Sequence, residues 1–404
     1  MRKMTTLAAA ATAALLIGTA LAACSSGGGS SGTTTLTVED YYQSPQDKVM
    51  EGVYNTCGTA LGVTIKATHV PGAGLIAKVL QQASAKNLPD VLMLDNPDVQ
   101  QIASSGALSP LKDYGISGDG FAPAVVKAGT YKGDLYGLAP AVNSLALFYN
   151  TDMFTKAGLT PPKTWDELRS DAKQLTGNGV YGFAFSGINT YEGTWQFLPF
   201  MWTNGGDEKN IDTPQTAQAL QFLVDMMNDG SISKASINWA QSDALDQFTA
   251  GKAAMMENGP WQFGSLAKFP DLHWATVPMP TRTASQTAVA PLGGEAFTVP
   301  ETGDRGTMTT AGKLVKCITS SKNQVTIAQG EGDVPANLAT AAKVGASNKL
   351  IQPFVEVVSH ARARTGELGA DWPKAATKIY TAEQLALTGK ATPSAALKQA
   401  QGSN

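Results

Sequence analysis

From residue 36 onward the sequence alternates between a hydrophobic period of two and one near four, and that alternation restricts the chain to a small set of folds. Residues 36–40 (LTVED) read as a strand, and Ser44-Pro45 predicts a helix N-cap followed by a proline in the first turn. Val49, Val53, Cys57 and Leu61 then recur every fourth residue, the apolar stripe of a helix that Gly62 ends. Residues 63–67 alternate as a second strand, 75–83 are helical, and 90–94 (DVLML) form a short apolar run of the kind buried on both faces. Such β-α-β succession implies a parallel sheet covered by helices, whose ligands bind beyond the carboxyl ends of the strands. Residues just past a strand end are therefore the first candidates for a site. Further helices are predicted over 165–175, 214–228 and 308–320; in the last, Met308, Ala311, Leu314, Val315 and Ile318 make the stripe and Cys317 lies beside it. Residues 375–401 are rich in Ala and Leu but interrupted by Gly389 and Pro393, so two helices are expected there.

The chain ahead of this pattern has a different character. Met1-Arg2-Lys3 is charged, an Ala/Leu-rich run comes next, and Leu21-Ala22-Ala23-Cys24 places small residues at a cleavage point, so residues 1–23 read as an export signal. The Cys directly after Leu-Ala-Ala resembles the bacterial lipobox, which would make Cys24 the lipidated first residue of the mature chain. A membrane-spanning helix is the competing reading, but the run is diluted by Ala, Thr and Gly and ends in a Ser/Gly tract without a basic flank. Residues 25–35 (SSGGGSSGTTT) have little to bury and form a tether. No later stretch approaches ~18 uninterrupted apolar residues, so none is expected to span a bilayer.

Beyond the tether, about 370 residues remain, more than one core serves, and two domains or lobes are predicted. Lys and Arg total 30 against 33 Asp and Glu, for a formal net charge of −3. A mildly acidic chain without basic runs is a poor nucleic-acid binder. With Cys24 lipidated, only Cys57 and Cys317 remain, and an exported protein permits the single pairing they allow.

Catalytic and metal motifs are missing. The histidines His69, His273 and His360 are isolated, and no HExxH, CxxC or GxxxxGK[ST] occurs. A GxSxG and a GxGxxG within 27–32 belong to the tether, and a second GxGxxG at 177–182 runs from helix into strand, the reverse of a dinucleotide site, so it reads as a helix stop and turn. Paired carboxylates such as Glu192, Glu295 and Asp95 leave a glycosidase open, since that chemistry needs only two acids roughly 5–9 Å apart. Trp195, Trp202 and Trp261 stand near glycine-containing turns. One Trp alone is usually core, but indole faces pack on sugar rings while acids and amides take the hydroxyls.

Several segments, taken in order, carry a resemblance. They are 136–140 (YGLAP), 147–154 (LFYNTDMF), 157–159 (AGL), 161–168 (PPKTWDEL), 248–255 (FTAGKAAM) leading to 258–261 (NGPW), and 291–294 (PLGG). Residues 89–91 (PDV) with Asp95, and 387–390 (LTGK) followed by 395–397 (AAL), also fit. From about residue 36 to 401 the chain is similar to the extracellular solute-binding proteins of sugar ABC importers, the maltodextrin-binding type. The resemblance implies an α/β, two-lobe periplasmic-binding-protein-like fold of type II, with the ligand cleft between the lobes. Lobe 1 would comprise 36–142 plus 290–336, and lobe 2 143–289 plus 337–404, with crossings near 141–144, 280–293 and 335–338. Cys57 and Cys317 then share lobe 1, and a disulfide between them is expected.

The same resemblance implies the ligand contacts. Tyr41 and Gln43 would follow the first strand, Asp95 the third, and Asn143 would lie at the crossing; lobe 2 would add Glu192, Trp195 and Trp261, and the return segment Gly294 and Glu295. Asp95 and Glu295 would accept hydroxyl hydrogens and Trp261 would stack on a ring, with Arg364 and Trp372 as further candidates near the C-terminus. Two departures, Leu94 where some maltodextrin binders have an aromatic and Asn143 where they have an acid, point away from long maltodextrins. The implied function is capture of a di- or oligosaccharide by hinge closure and its delivery to membrane permease subunits. That protein would be an extracytoplasmic monomer held by Cys24, not an enzyme, with no cofactor, no metal and no nucleic-acid partner. Competing readings are a secreted carbohydrate-active enzyme, a binder of a non-sugar small solute, and a partner of a membrane sensor. A phosphate ligand is disfavoured because no Arg/Lys cluster stands near the proposed strand ends.

Overall fold

The computed structural model describes residues 34–70 and 72–403; the export segment, Cys24 and all but the last two residues of the tether lie outside the described residues. A first sheet runs in the order Thr64–His69, Thr35–Asp40, Val91–Asp95, Glu295–Pro300 and Leu108–Ser109, with Gly137–Leu138 also on Glu295–Pro300. Its first three strands are parallel, as the β-α-β pattern requires. Glu295–Pro300 enters antiparallel to Val91–Asp95, so the sheet is mixed. That strand returns from the far side of the chain and is not part of a β-α-β crossover, which is why it is free to run the other way. A second sheet has the order Tyr181–Ala184, Ala253–Asn258, Ala146–Asn150 and Trp274–Val277.

The apolar run at 91–94 is explained by burial on both faces. Val91 and Met93 join a core with Leu36, Val38, Met50, Val53, Tyr54, Leu314 and Val315. Leu92 and Leu94 face the other way, onto Leu75, Val79, Val99 and Ile102. All four are fully buried, and each such side chain contributes about 1.5–3 kcal/mol of transfer free energy. A separate core beside the second sheet holds Leu147, Trp165, Leu168, Phe183, Phe200, Leu220 and Leu223.

The helices follow their sequence signals with two exceptions. Trp165–Leu175 opens on a capping box, in which the Thr164 hydroxyl accepts from the Glu167 backbone N–H and the Glu167 carboxylate accepts from that of Thr164. Pro214–Asn228 begins at its proline, and the C-terminal segment forms two helices, Trp372–Leu387 and Pro393–Gln401. The first exception is the start of Gln46–Leu61, where Pro45 itself occupies the N-cap and no side chain caps the helix, so Ser44 does not have the expected role. Asp47 in the first turn supplies the favourable negative charge instead. The second is the buried ridge of that helix, which runs through Met50, Val53, Tyr54, Cys57 and Gly58, while Val49 and Leu61 are only half-buried. Gly58 sets this orientation, because a Cβ there would lie 2.8 Å from Ile65 and 2.9 Å from the Val63 carbonyl. Among the described residues no helix is long and apolar enough to cross a membrane.

Short strand pairs tie the middle of the molecule together. Ala141–Val142 pairs antiparallel with Val334–Pro335, and Pro291–Leu292 pairs parallel with Arg362–Ala363. Asn143 and Gly293 exchange backbone hydrogen bonds (3.4 and 2.9 Å), and the Ser144 hydroxyl donates to the Pro291 carbonyl at 2.6 Å.

Cys57 and Cys317 form a disulfide between Gln46–Leu61 and Arg305–Ile318, with Cα atoms 5.9 Å apart and a sequence separation of 260 residues. It closes one edge of the first core, where removing a native disulfide typically costs about 2–5 kcal/mol. The double variant Cys57→Ser/Cys317→Ser is expected to lose stability in that range by urea denaturation, and the native protein to show no thiol at either position before reductant is added. Two alkylatable thiols in the native protein would contradict the pairing.

Candidate ligand-binding site

The ends of the first sheet's strands bring three expected residues together. Tyr41 follows Thr35–Asp40, Asp95 ends Val91–Asp95, and Glu295 opens the antiparallel strand directly opposite Asp95 in register. The Tyr41 hydroxyl donates to Glu295 Oε1 at 3.0 Å. Arg364, just after the short strand Arg362–Ala363, clamps Asp95 with both terminal nitrogens, Nη1 to Oδ2 at 2.8 Å and Nη2 to Oδ1 at 2.5 Å. This bidentate geometry is the strong form of the ion pair. The same guanidinium lies over the Trp195 ring, its carbon 4.4 Å from the centroid.

Arg364 and Trp195 are only 7% and 8% exposed, so the cation sits between a carboxylate of the first sheet and an indole of helix Tyr191–Thr203, which packs in the second core. Pro97, Asp98, Tyr191 and Trp372 complete the walls around a cavity of about 40 Å³. That has room for water-sized guests and is too small for a sugar ring. Trp372 is buried, its ring centroid 6.5 Å from that of Trp202.

Below this group the crossing segments approach so closely that two glycines are required. A Cβ at Gly293 would stand 2.0 Å from Asn143 Oδ1 and 2.9 Å from the Trp195 ring; Gly294 has φ +121°, and its Cβ would be 2.6 Å from the Ala141 carbonyl. Asn143 is buried and donates from Nδ2 to Asp333 Oδ2 at 3.1 Å. Asp333 and its neighbour Glu331 were not anticipated from sequence. They flank Gly332, which ends helix Ser321–Glu331 in the left-handed conformation, and nothing local distinguishes them from ordinary acids at a helix end.

Three expected residues are engaged elsewhere. The Glu192 carboxylate accepts from the Gln241 backbone N–H at the start of helix Gln241–Thr249. Gln43 is exposed, and its carbonyl accepts from the Asp47 backbone N–H. The half-buried Trp261 ring folds over Gly259, where a Cβ would fall 1.9 Å from a ring carbon. No hydrogen bond or ring contact among the described residues joins these three to the Asp95–Arg364–Glu295 group. Nor does any group of three or more His, Cys, Asp or Glu among the described residues converge as a metal site.

Burial and mutual repulsion raise the acids of the site. Desolvation, and then the Asp95 charge, push Glu295 up to about 7 against the opposing effects of Tyr41 and Arg364. The same two causes push Asp98 up to about 8. A carboxyl raised in the folded state binds more protons there than in the unfolded chain, so stability falls as pH rises through the window between the two values. For Glu295 that window runs from 4.5 to about 7. Urea denaturation is expected to show stability declining over this range and Glu295→Gln making the decline shallower; an unchanged slope in the variant would contradict the assignment.

Known proteins are similar to this chain in sequence and fold. Residues 53–352 match the family described as bacterial extracellular solute-binding protein. A binding protein of Brucella abortus is 26% identical over 84% of each chain. A maltooligosaccharide ABC transporter solute-binding lipoprotein of Streptococcus pneumoniae is 25% identical over 85% of this chain and 82% of its own. Among solved structures, an ABC transporter solute-binding protein from Thermotoga lettingae bound with α-D-tagatose superposes with a TM-score of 0.82 at 27% identity, covering 91% of this chain and 98% of that one. With two main sheets joined through short strand pairs, the fold is the two-lobe, type II arrangement of these proteins, and the chain belongs to the bacterial extracellular solute-binding protein family.

Proposed function

We propose that the chain is the substrate-binding component of an ABC importer, capturing a di- or oligosaccharide between its lobes and delivering it to the membrane permease while tethered through lipidated Cys24. The lobes are 36–142 with 290–336, and 143–289 with 337–404. The relatives named for maltooligosaccharide and tagatose support the choice of a sugar. The observation that carries the reading is the alignment of Asp95, Arg364 and Trp195. A carboxylate and a guanidinium offer acceptors and donors for hydroxyls, and an indole face lies beside them for the apolar side of a ring.

Capture needs movement, because the cavity between these groups holds only about 40 Å³. The ligand enters an open form, and Arg364 exchanges part of its contact with Asp95 and Trp195 for contact with hydroxyls. Closure follows from the ligand's better contact with the closed state. Moving a population from 1:99 to 99:1 requires about 5.5 kcal/mol of differential affinity, which several buried hydrogen bonds to charged groups at about 1.5–3 kcal/mol each supply. Each buried hydroxyl must be paired, so an analogue lacking one is rejected.

A thermal-shift screen with maltotriose and tagatose tests this. A ligand at about 100 times its Kd adds ~2.7 kcal/mol of stability, and Trp195→Ala is expected to abolish the shift. Silence of the wild-type protein across neutral sugars, or new reducing ends appearing on incubation with glycans, would contradict the proposal.

A further inference from the structure

Glu331 and Asp333 are among the most deeply buried acids of the molecule, 3% and 1% exposed, and each has one carboxyl oxygen, Glu331 Oε1 and Asp333 Oδ1, with no hydrogen-bond partner in the protein. They stand where the crossing segments meet. Val334–Pro335 pairs with Ala141–Val142, and Asp333 Oδ2 is held by Asn143. Gly332 between them is pressed against the segment that carries Trp261, since a Cβ there would lie 2.7 Å from the Pro260 carbonyl and 2.6 Å from the Phe263 ring.

The charged groups felt by these two are themselves acids, Glu295 by both, and Asp40 and Asp333 by Glu331. The basic groups beside those acids are committed elsewhere, Arg364 near Glu295 to Asp95, and His69 to Asp40 and Glu51. The protein places two acceptors in its interior and gives them no donor. Buried polar atoms are almost always paired, and an unpaired one in a native fold calls for a reason.

We infer that Glu331 and Asp333 form the floor of the cleft and accept hydrogen bonds from two hydroxyls of the bound sugar, making them specificity-determining residues. The inference rests on the sugar-binding reading above. It places the recognition of those hydroxyls at the end of helix Ser321–Glu331, where the chain leads into the third crossing, so these contacts report on the ring at the hinge. A sugar hydroxyl donating to each free oxygen would remove the cost of leaving a buried acceptor unmade, whereas packing alone gives the acids no favourable role.

The test compares the wild type with Asp333→Asn and Glu331→Gln, using maltotriose or tagatose, whichever shifts the wild-type melting temperature more, as the probe in calorimetric titration. Each variant is expected to weaken binding by roughly 3- to 10-fold, the worth of one buried hydrogen bond. The ligand-free variants are expected to melt at or above the wild-type temperature, because an amide of the same shape replaces a carboxyl whose ionised form is costly to bury beside other acids. Loss of affinity with retained stability is an outcome that a merely structural role would not give. Variants that bind within twofold of the wild type, or that lose affinity and stability together, overturn this inference and leave the sugar reading standing. A wild-type protein that binds neither probe overturns both.

Discussion

The architecture turns on one close approach, the reciprocal backbone pairing of Asn143 with Gly293. Any side chain at position 293 would collide with Asn143 and reach the Trp195 ring, and any at 294 would meet the Ala141 carbonyl. Removing those Cβ atoms lets the crossing strands lie against one another, with groups of the first sheet and of helix Tyr191–Thr203 close by. Asp95 and Glu295 arrive from the first sheet, Trp195 from a helix of the second core, and Asn143 and Asp333 from the crossings themselves. The glycines act through what they leave out.

Much of this architecture is legible in the sequence because it rests on local signals. The boundaries of Trp165–Leu175 and Pro214–Asn228 follow from a capping box and a first-turn proline, and the double-sided burial of 91–94 follows from an unbroken apolar run. The features that escape such reading have long-range causes. Glu295–Pro300 inserts antiparallel beside a strand some 200 residues earlier, which no local period can announce. The clamp between Arg364 and Asp95 joins residues 269 apart. Glu192, Gln43 and Trp261 enter the ligand set by the same family resemblance, and their contacts here lie elsewhere: the backbone N–H of Gln241, 49 residues on, a turn at Asp47 and the neighbouring Gly259. Glu331 and Asp333 carry no local mark at all, because burial without a hydrogen-bond partner, which Glu257 and Glu383 share, is a property of the folded chain.

The site shows the usual tension between stability and binding. A core built for stability alone would not bury Glu331 and Asp333 close enough to Glu295 for its charge to raise their proton affinity. Arg364 relieves part of the strain by pairing with Asp95, and in doing so it fills the space between carboxylate and indole that a sugar ring would need. The disulfide locks two helices of the first core together.

On the proposed mechanism, a small guest draws two halves of the molecule together about the paired crossings. Small-angle scattering of the protein with and without a saturating sugar measures this directly. A smaller radius of gyration is expected in the bound state, with a return to the larger one when the sugar is removed. Saturated binding with an unchanged radius would contradict the mechanism.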